Sequence, residues 1–403
     1  MKPLEGIRIA DFSHVMAGPY ASHMLRLLGA EVIKVESPGR GDAMRFYGYD
    51  RRYDGMSPAF IGVNVGKKSV ELNLKKPAAL AAAKKLIETS DVVLENFRPG
   101  VINRLGLGYD VCKELNPGIV YCSVSGYGQT GPMKDWPAID NIVQATSGMM
   151  SLSGETDGEW MRVGFPVVDT ITGQLAAFAI LAALFRRQKT GEGDYIDVAM
   201  LDASLAFMTA AVVPFLVTGK TMPRTGNTGY SGQPTTGLFT GADGKKISLG
   251  VVQQGQFEAL ARHLNHEEWI HDPRYETSDL RLANSEALKA ELAEVLKTRN
   301  AGEWESGMSA INIPCGMVRD VSESISFPHL NQRGLKIPVS LPPDLPPSPG
   351  GKAEIVNAGF IMENDGPGVD GESPVHGADT QSVLAMLGYS EEEINEITKR
   401  LGE

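Results

Sequence analysis

The chain has 403 residues, 42% of them hydrophobic and 22% charged, with a net charge of −11. That length exceeds one ordinary core and predicts two domains, or one large domain with an insertion, in a composition typical of soluble globular proteins. The acidic balance argues against nucleic acid while leaving room for an anionic small ligand held by local cations, and no unbroken apolar run reaches the roughly 18 residues of a membrane span.

Met1 to Ile7 runs straight into a strand pattern and leaves no room for a signal peptide. Cys112, Cys122 and Cys315 are widely spaced and in no metal-like pattern, so a reducing cytoplasm and no metal are expected. Ile7–Phe12 reads as a strand, Pro19–Leu28 as a helix and Ala30–Glu36 as the next strand. An Ala- and Lys-rich helix covers Pro77–Thr89, with Pro77 suited to a first turn. Asp91–Glu95 and Ile119–Ser125 are further strands. Strands alternating with helices imply βαβ units, an α/β fold and a mostly parallel sheet whose strand-end turns bind ligands.

Residues 164–173 (GFPVVDTITG) deliver one carboxylate, Asp169, into the first turn of a long apolar helix that continues through Phe185. An acid there is ordinarily an N-cap. The motifs around it favour a second reading, a nucleophile. Beyond Lys220 the texture changes: Arg224–Gly237 is a polar, glycine-rich loop, and the strands flanking residues 242–245 (ADGK) form a hairpin. Helices follow over Gln254–Leu264 and Ser285–Lys297, so 225–325 reads as a small α+β domain. Residues 1–220 with 330–403 form the large one. Pro338–Pro349 reads as an extended crossing segment, and Thr380–Leu387 and Ser390–Leu401 as short closing helices.

The opening 4–13 (LEGIRIADFS) with Ala17-Gly18-Pro19 resembles the start of the class III CoA-transferases of the formyl-CoA and carnitine type. So do 28–36 (LGAEVIKVE), 38–42 (PGRGD), 64–73 (NVGKKSVELN), 95–100 (ENFRPG), 125–132 (SGYGQTGP), 189–193 (KTGEG) and 387–390 (LGYS). These blocks stand in order along essentially the whole chain. The resemblance implies a large Rossmann-like domain, an intertwined homodimer, coenzyme A as the acyl carrier without metal or nicotinamide, and Asp169 as catalytic residue. A carboxylate with an ordinary pKa of about 3.9 is ionised at neutral pH and can attack a thioester without a base.

The same resemblance puts the nucleotide on Leu72, Asn73, Lys75, Asn96, Phe97, Arg98 and Arg104. It makes the Gly226–Gly237 loop a water-excluding lid whose Gly232 and Gln233 N–H groups stabilise an oxyanion. Ser37 and Pro137 depart from basic residues of the formyl-CoA enzymes; Arg40 or Lys134 are the substitutes at hand. His14 stands near the mouth of the ligand site. Met16, Ala59 and Ile139 replace residues lining the oxalate pocket, which argues for a larger or less polar acid, with succinyl-CoA as donor. Racemase relatives carry a histidine where this chain has Ile139, and isoleucine moves no proton. A racemase-like enzyme and one subunit of a heteromeric transferase are the alternatives weighed. A nicotinamide dehydrogenase lacks support, because Asp11–Pro19 holds a single glycine, Gly18, in place of G-x-G-x-x-G.

Overall fold

The computed structural model describes residues 1–343, 345–346 and 353–399. β1 (Arg8–Asp11), β2 (Glu31–Glu36), β3 (Lys68–Glu71), β4 (Val92–Glu95), β5 (Val120–Ser125) and β6 (Asp194–Ala199) form a parallel sheet in the order β3-β2-β1-β4-β5-β6. The order reverses between β1 and β4, the switch point at which doubly wound sheets open a crevice beyond their carboxyl ends. Alternate residues of each strand serve opposite faces. Ala10, Ile33, Val93 and Tyr121 meet the helix Pro77–Glu88 and the closing helices. Ile9, Val32, Val92 and Val120 meet the helices Ala17–Leu27 and Val167–Thr190. Each fully buried Ile or Leu here contributes roughly 1.5–3 kcal/mol.

Sequence reading missed β3 and β6. β3 (KSVE) is a short, half-polar strand at one edge of the sheet, and β6 (DYIDVA) alternates exposed and part-buried positions at the other edge. The helix Val167–Thr190 is long and apolar enough to cross a membrane, although its longest unbroken apolar run falls short of a full span. Over half of its most apolar window is buried, and it packs on Ala17–Leu27, β5 and β6. That is the setting of a core helix.

The chain divides into two compact units, one of residues 1–149, 162–220 and 328–403, the other of 150–161 and 221–327. Residues 150–161 thus fall in the smaller unit, outside the 225–325 span expected from sequence. That unit holds β7 (Thr236–Thr240), β8 (Lys246–Gly250) and β9 (Cys315–Met317), antiparallel throughout. Its core gathers Trp269, Trp304, Phe257 and Leu292. In the larger unit, β10 (Lys336–Val339) and β11 (Ala353–Val356) pair antiparallel, with Pro338 opposite Glu354. The stretch from Pro338 therefore begins as a strand rather than an extended crossing; a proline is tolerated in so short a ribbon because an edge needs no second ladder. Asp344 and residues 347–352 lie outside the described residues, as do Arg400 and Leu401 of the second closing helix, which runs Glu391–Thr398.

Candidate active site

The carboxyl ends of β1 and β4 lead into His14–Ala17 and Asn96–Pro99, which line a cavity of about 760 Å³ together with Asp169. A second cavity of about 360 Å³ is lined by Leu72, Asn73, Lys75 and Ser37. His14 and Phe97 border both, their rings 5.2 Å apart. The switch point thus presents two adjoining chambers, one beside the carboxylate and one beside the end of β3.

The turn 13–17 is held from below by buried charges. Asp11 accepts hydrogen bonds from the Ser13 and Ser22 hydroxyls and faces Lys67 at 3.3 Å. Lys34 Nζ donates to the Ser13 carbonyl (2.7 Å) and pairs with Asp42 (2.9 Å). Asp42 in turn accepts the Val15 N–H (3.0 Å). Glu36 caps the Asp42 N–H and grips Arg45 through Nε and Nη2 at 2.8 and 2.6 Å. Arg45 holds the Glu36 carboxyl down at about 2, well below the usual range, against the opposing cost of burial. Such pairs are retained only where every partner is satisfied. What this one holds is Val15 at φ 65°, a left-handed conformation that costs a β-branched residue about 1–3 kcal/mol.

Asn96 braces the same turn. Its Oδ1 accepts the His14 N–H (2.9 Å) and its Nδ2 donates to the His14 carbonyl (2.8 Å). The Asn96 side chain is thereby spent on the backbone rather than held out toward a ligand. Glu95, buried at the end of β4, accepts from the Phe97 N–H (2.9 Å) and the Ser123 hydroxyl, and burial pushes its pKa up to about 7.

Asp169 is the third residue of the helix Val167–Thr190. Gly173, one turn later, lets that helix lie against the 13–17 turn: a Cβ there would fall 2.6 Å from the Ala17 carbonyl oxygen. Asp169 is not the cap of its own helix. Asp140, opening the helix Asp140–Thr146, accepts the N–H groups of Val168 (2.8 Å) and Asp169 (3.1 Å). Gln144, fully buried, donates to Asp140 Oδ1 (2.6 Å) and accepts from the Val163 N–H (2.8 Å). The donors that would ease a charge on Asp169 are therefore consumed by another carboxylate. No described group donates to the Asp169 carboxylate, and burial, reinforced by Asp140, lifts its pKa to about 7. The expectation of a carboxylate fully ionised at neutral pH is corrected: burial first, and then the Asp140 charge, hold part of the Asp169 carboxyl protonated there.

Of the remaining expected residues, Met16 and Ile139 line the Asp169 cavity, as do Arg98 and Lys134. Arg104 and Ala59 line neither chamber, and Arg40 lies over the Phe46 ring at 4.3 Å. Gly232 and Gln233 belong to the smaller unit. The Gly232 N–H donates to the Gly229 carbonyl (2.9 Å) and the Gln233 N–H to Ser231 Oγ (3.3 Å). An oxyanion role would require either donor to leave that partner. Among the described residues no cluster of three His, Cys, Asp or Glu side chains suits a metal ion. The Asp140–Gln144 clamp went unassigned in the sequence, although the two stand at i, i+4, a spacing that puts both on one helix face.

Residues 4–380 match the model of CoA-transferase family III. The chain is 36% identical over 394 residues to the succinate–glutarate CoA-transferase of Agrobacterium fabrum, covering 96% of each protein. It is 38% identical over 337 residues to the acetyl-CoA:oxalate CoA-transferase of Acetobacter aceti, covering 83% of this chain and 85% of that protein. A solved CAIB/BAIF family protein from Brucella suis superposes with a TM-score of 0.85 at 30% identity, covering 96% of this chain and 99% of that one.

Proposed function

The chain belongs to CoA-transferase family III, and on that footing we propose that it moves CoA from succinyl-CoA to a second dicarboxylic acid, with Asp169 as the covalent relay. CoA-transferase activity follows from the family and from relatives that act on succinate, glutarate and oxalate. The observation that carries the finer reading is Asp169 itself: a poorly solvated carboxylate with no donor on its oxygens among the described residues, lining a cavity at the switch point.

An Asp169 oxygen attacks the thioester carbonyl, the C–S bond breaks, and CoA leaves as thiolate from a mixed anhydride. The thiolate then attacks the Asp169 carbonyl carbon and expels succinate, leaving an aspartyl-CoA thioester. The incoming acid attacks that thioester, releasing the thiolate and forming a new anhydride. Thiolate attack on its acyl carbon frees Asp169 and the new acyl-CoA. Both intermediates remove the charge that burial and Asp140 disfavour, so the site favours the acylated over the free carboxylate.

In this reading the nucleotide lies in the chamber of Leu72, Asn73 and Lys75, and the pantetheine arm passes His14 and Phe97. Ile139, lining the acyl chamber, supports transfer over racemisation because it carries no proton. A homodimer is proposed as well: the helix Thr209–Thr218 is almost wholly apolar yet buries no residue, and Phe178, Phe185 and Phe207 are each over 60% exposed. A second copy covering these faces is expected in sedimentation of the purified chain; a monomer, or a requirement for a different subunit, refutes that part.

The test of the relay is trapping. Protein incubated with a panel of acyl-CoAs and quenched with hydroxylamine should carry a hydroxamate at Asp169 by peptide mass spectrometry, with succinyl-CoA and not with every donor. No modification with any donor, while CoA still binds, overturns the relay.

A further inference from the structure

The Lys and Arg residues that line the Asp169 cavity are Arg98, Lys134 and Arg162. Arg98 follows β4 beside Phe97, on the side where the second chamber opens, and Lys134 lies on the loop after β5. Arg162 stands apart, because it belongs to the segment that becomes the Asp169 helix and lines the cavity with Gly164, Phe165 and Pro166. Among the described residues no acid pairs with it, and its guanidinium donates to the neighbouring Val163 carbonyl alone (3.1 Å). Its backbone is not loose. Val163 is tied to Gln144, Gln144 to Asp140, and Asp140 to the Asp169 N–H. One clamp therefore fixes both the nucleophile and the segment bearing this unpaired cation.

We propose that Arg162 anchors the far carboxylate of the acid substrate, so that the enzyme selects dicarboxylates over monocarboxylates of the same length. The proposal rests on the transfer reading above and adds its specificity device. An acid entering this cavity meets Asp169 and Asp140, both acidic. A second negative charge on that acid needs a cation, and a guanidinium binds a carboxylate through two parallel N–H bonds while remaining charged at any working pH. A monocarboxylate offers a methyl group instead and leaves the guanidinium without its partner. Since donor and acceptor acids occupy the site in turn, one arginine serves both, and its long stem accommodates one methylene more or less.

The experiment compares glutarate, valerate and monomethyl glutarate as acceptors for succinyl-CoA, in the unmodified enzyme, Arg162→Met and Arg162→Lys. In a ping-pong scheme each acid's kcat/KM reports its own half-reaction. The glutarate-to-valerate ratio should fall on the order of 10- to 100-fold in Arg162→Met, mostly through the glutarate KM, the usual worth of a charge-assisted pair. Arg162→Lys should recover part of it, and monomethyl glutarate should behave as valerate in the unmodified enzyme. A ratio unchanged in Arg162→Met, or equal losses on all three acids, overturns the proposal. So does an unmodified enzyme that forms the Asp169 hydroxamate yet shows no preference for glutarate. Absence of both hydroxamate and turnover with every acid removes the transfer reading itself, and the proposal with it.

Discussion

Replacing Asp169 by Asn should make the protein more stable, and increasingly so as pH rises. The carboxyl pKa is lifted from 3.8 to about 7 in the folded chain, so the native state holds the proton more tightly than the unfolded state does. Stability from that proton is full below the unfolded value and is lost as pH climbs through 7. At 1.36 kcal/mol per unit the cost at alkaline pH approaches about 4 kcal/mol, and partial exposure of the site reduces it to about 2–4 kcal/mol. Asn avoids the cost and forfeits no bond, because nothing described donates to the Asp169 oxygens; its N–H keeps Asp140 as partner. At about 2 °C per kcal/mol for a unit of this size, the midpoint should rise about 4–8 °C near pH 8 and scarcely at all near pH 4. Thermal unfolding followed by circular dichroism across that range measures it, with loss of turnover as the companion result. An advantage independent of pH, or an Asn variant that unfolds earlier at pH 8, would refute the electrostatic reasoning.

Two further outcomes follow from the supports of the site. Asp140→Asn keeps an oxygen for the Val168 and Asp169 N–H groups and removes the charge, so the acid limb of the kcat/KM–pH profile should move down from about 7; a limb that stays in place makes Asp140 a cap and nothing more. Asn96→Ala removes both bonds on the His14 backbone and frees the strained Val15 turn, so calorimetry should show CoA binding weakened about 10-fold, and unchanged affinity would refute the bracing role.

The elements of the large unit were legible because their signals are local. Apolar runs such as Val92–Leu94, ended by polar turns, mark buried parallel strands, and Pro77 marks a helix start. β3 and β6 escaped because each lies at an edge of the sheet and mixes polar with apolar residues, so their strand state is set by their neighbours. The same divide runs through the site. The acid at the head of an apolar helix, the ordered motifs, and Leu72, Asn73 and Lys75, which line the second cavity, could be picked out in order along the chain. That Asp140 takes the donors at the head of the Asp169 helix, and that Asn96 grips His14 across 82 positions, could not. Residue type announces which groups can do chemistry. Desolvation and hydrogen-bond allocation depend on groups distant in sequence, and these set the state of Asp169; folding alone brings such groups together.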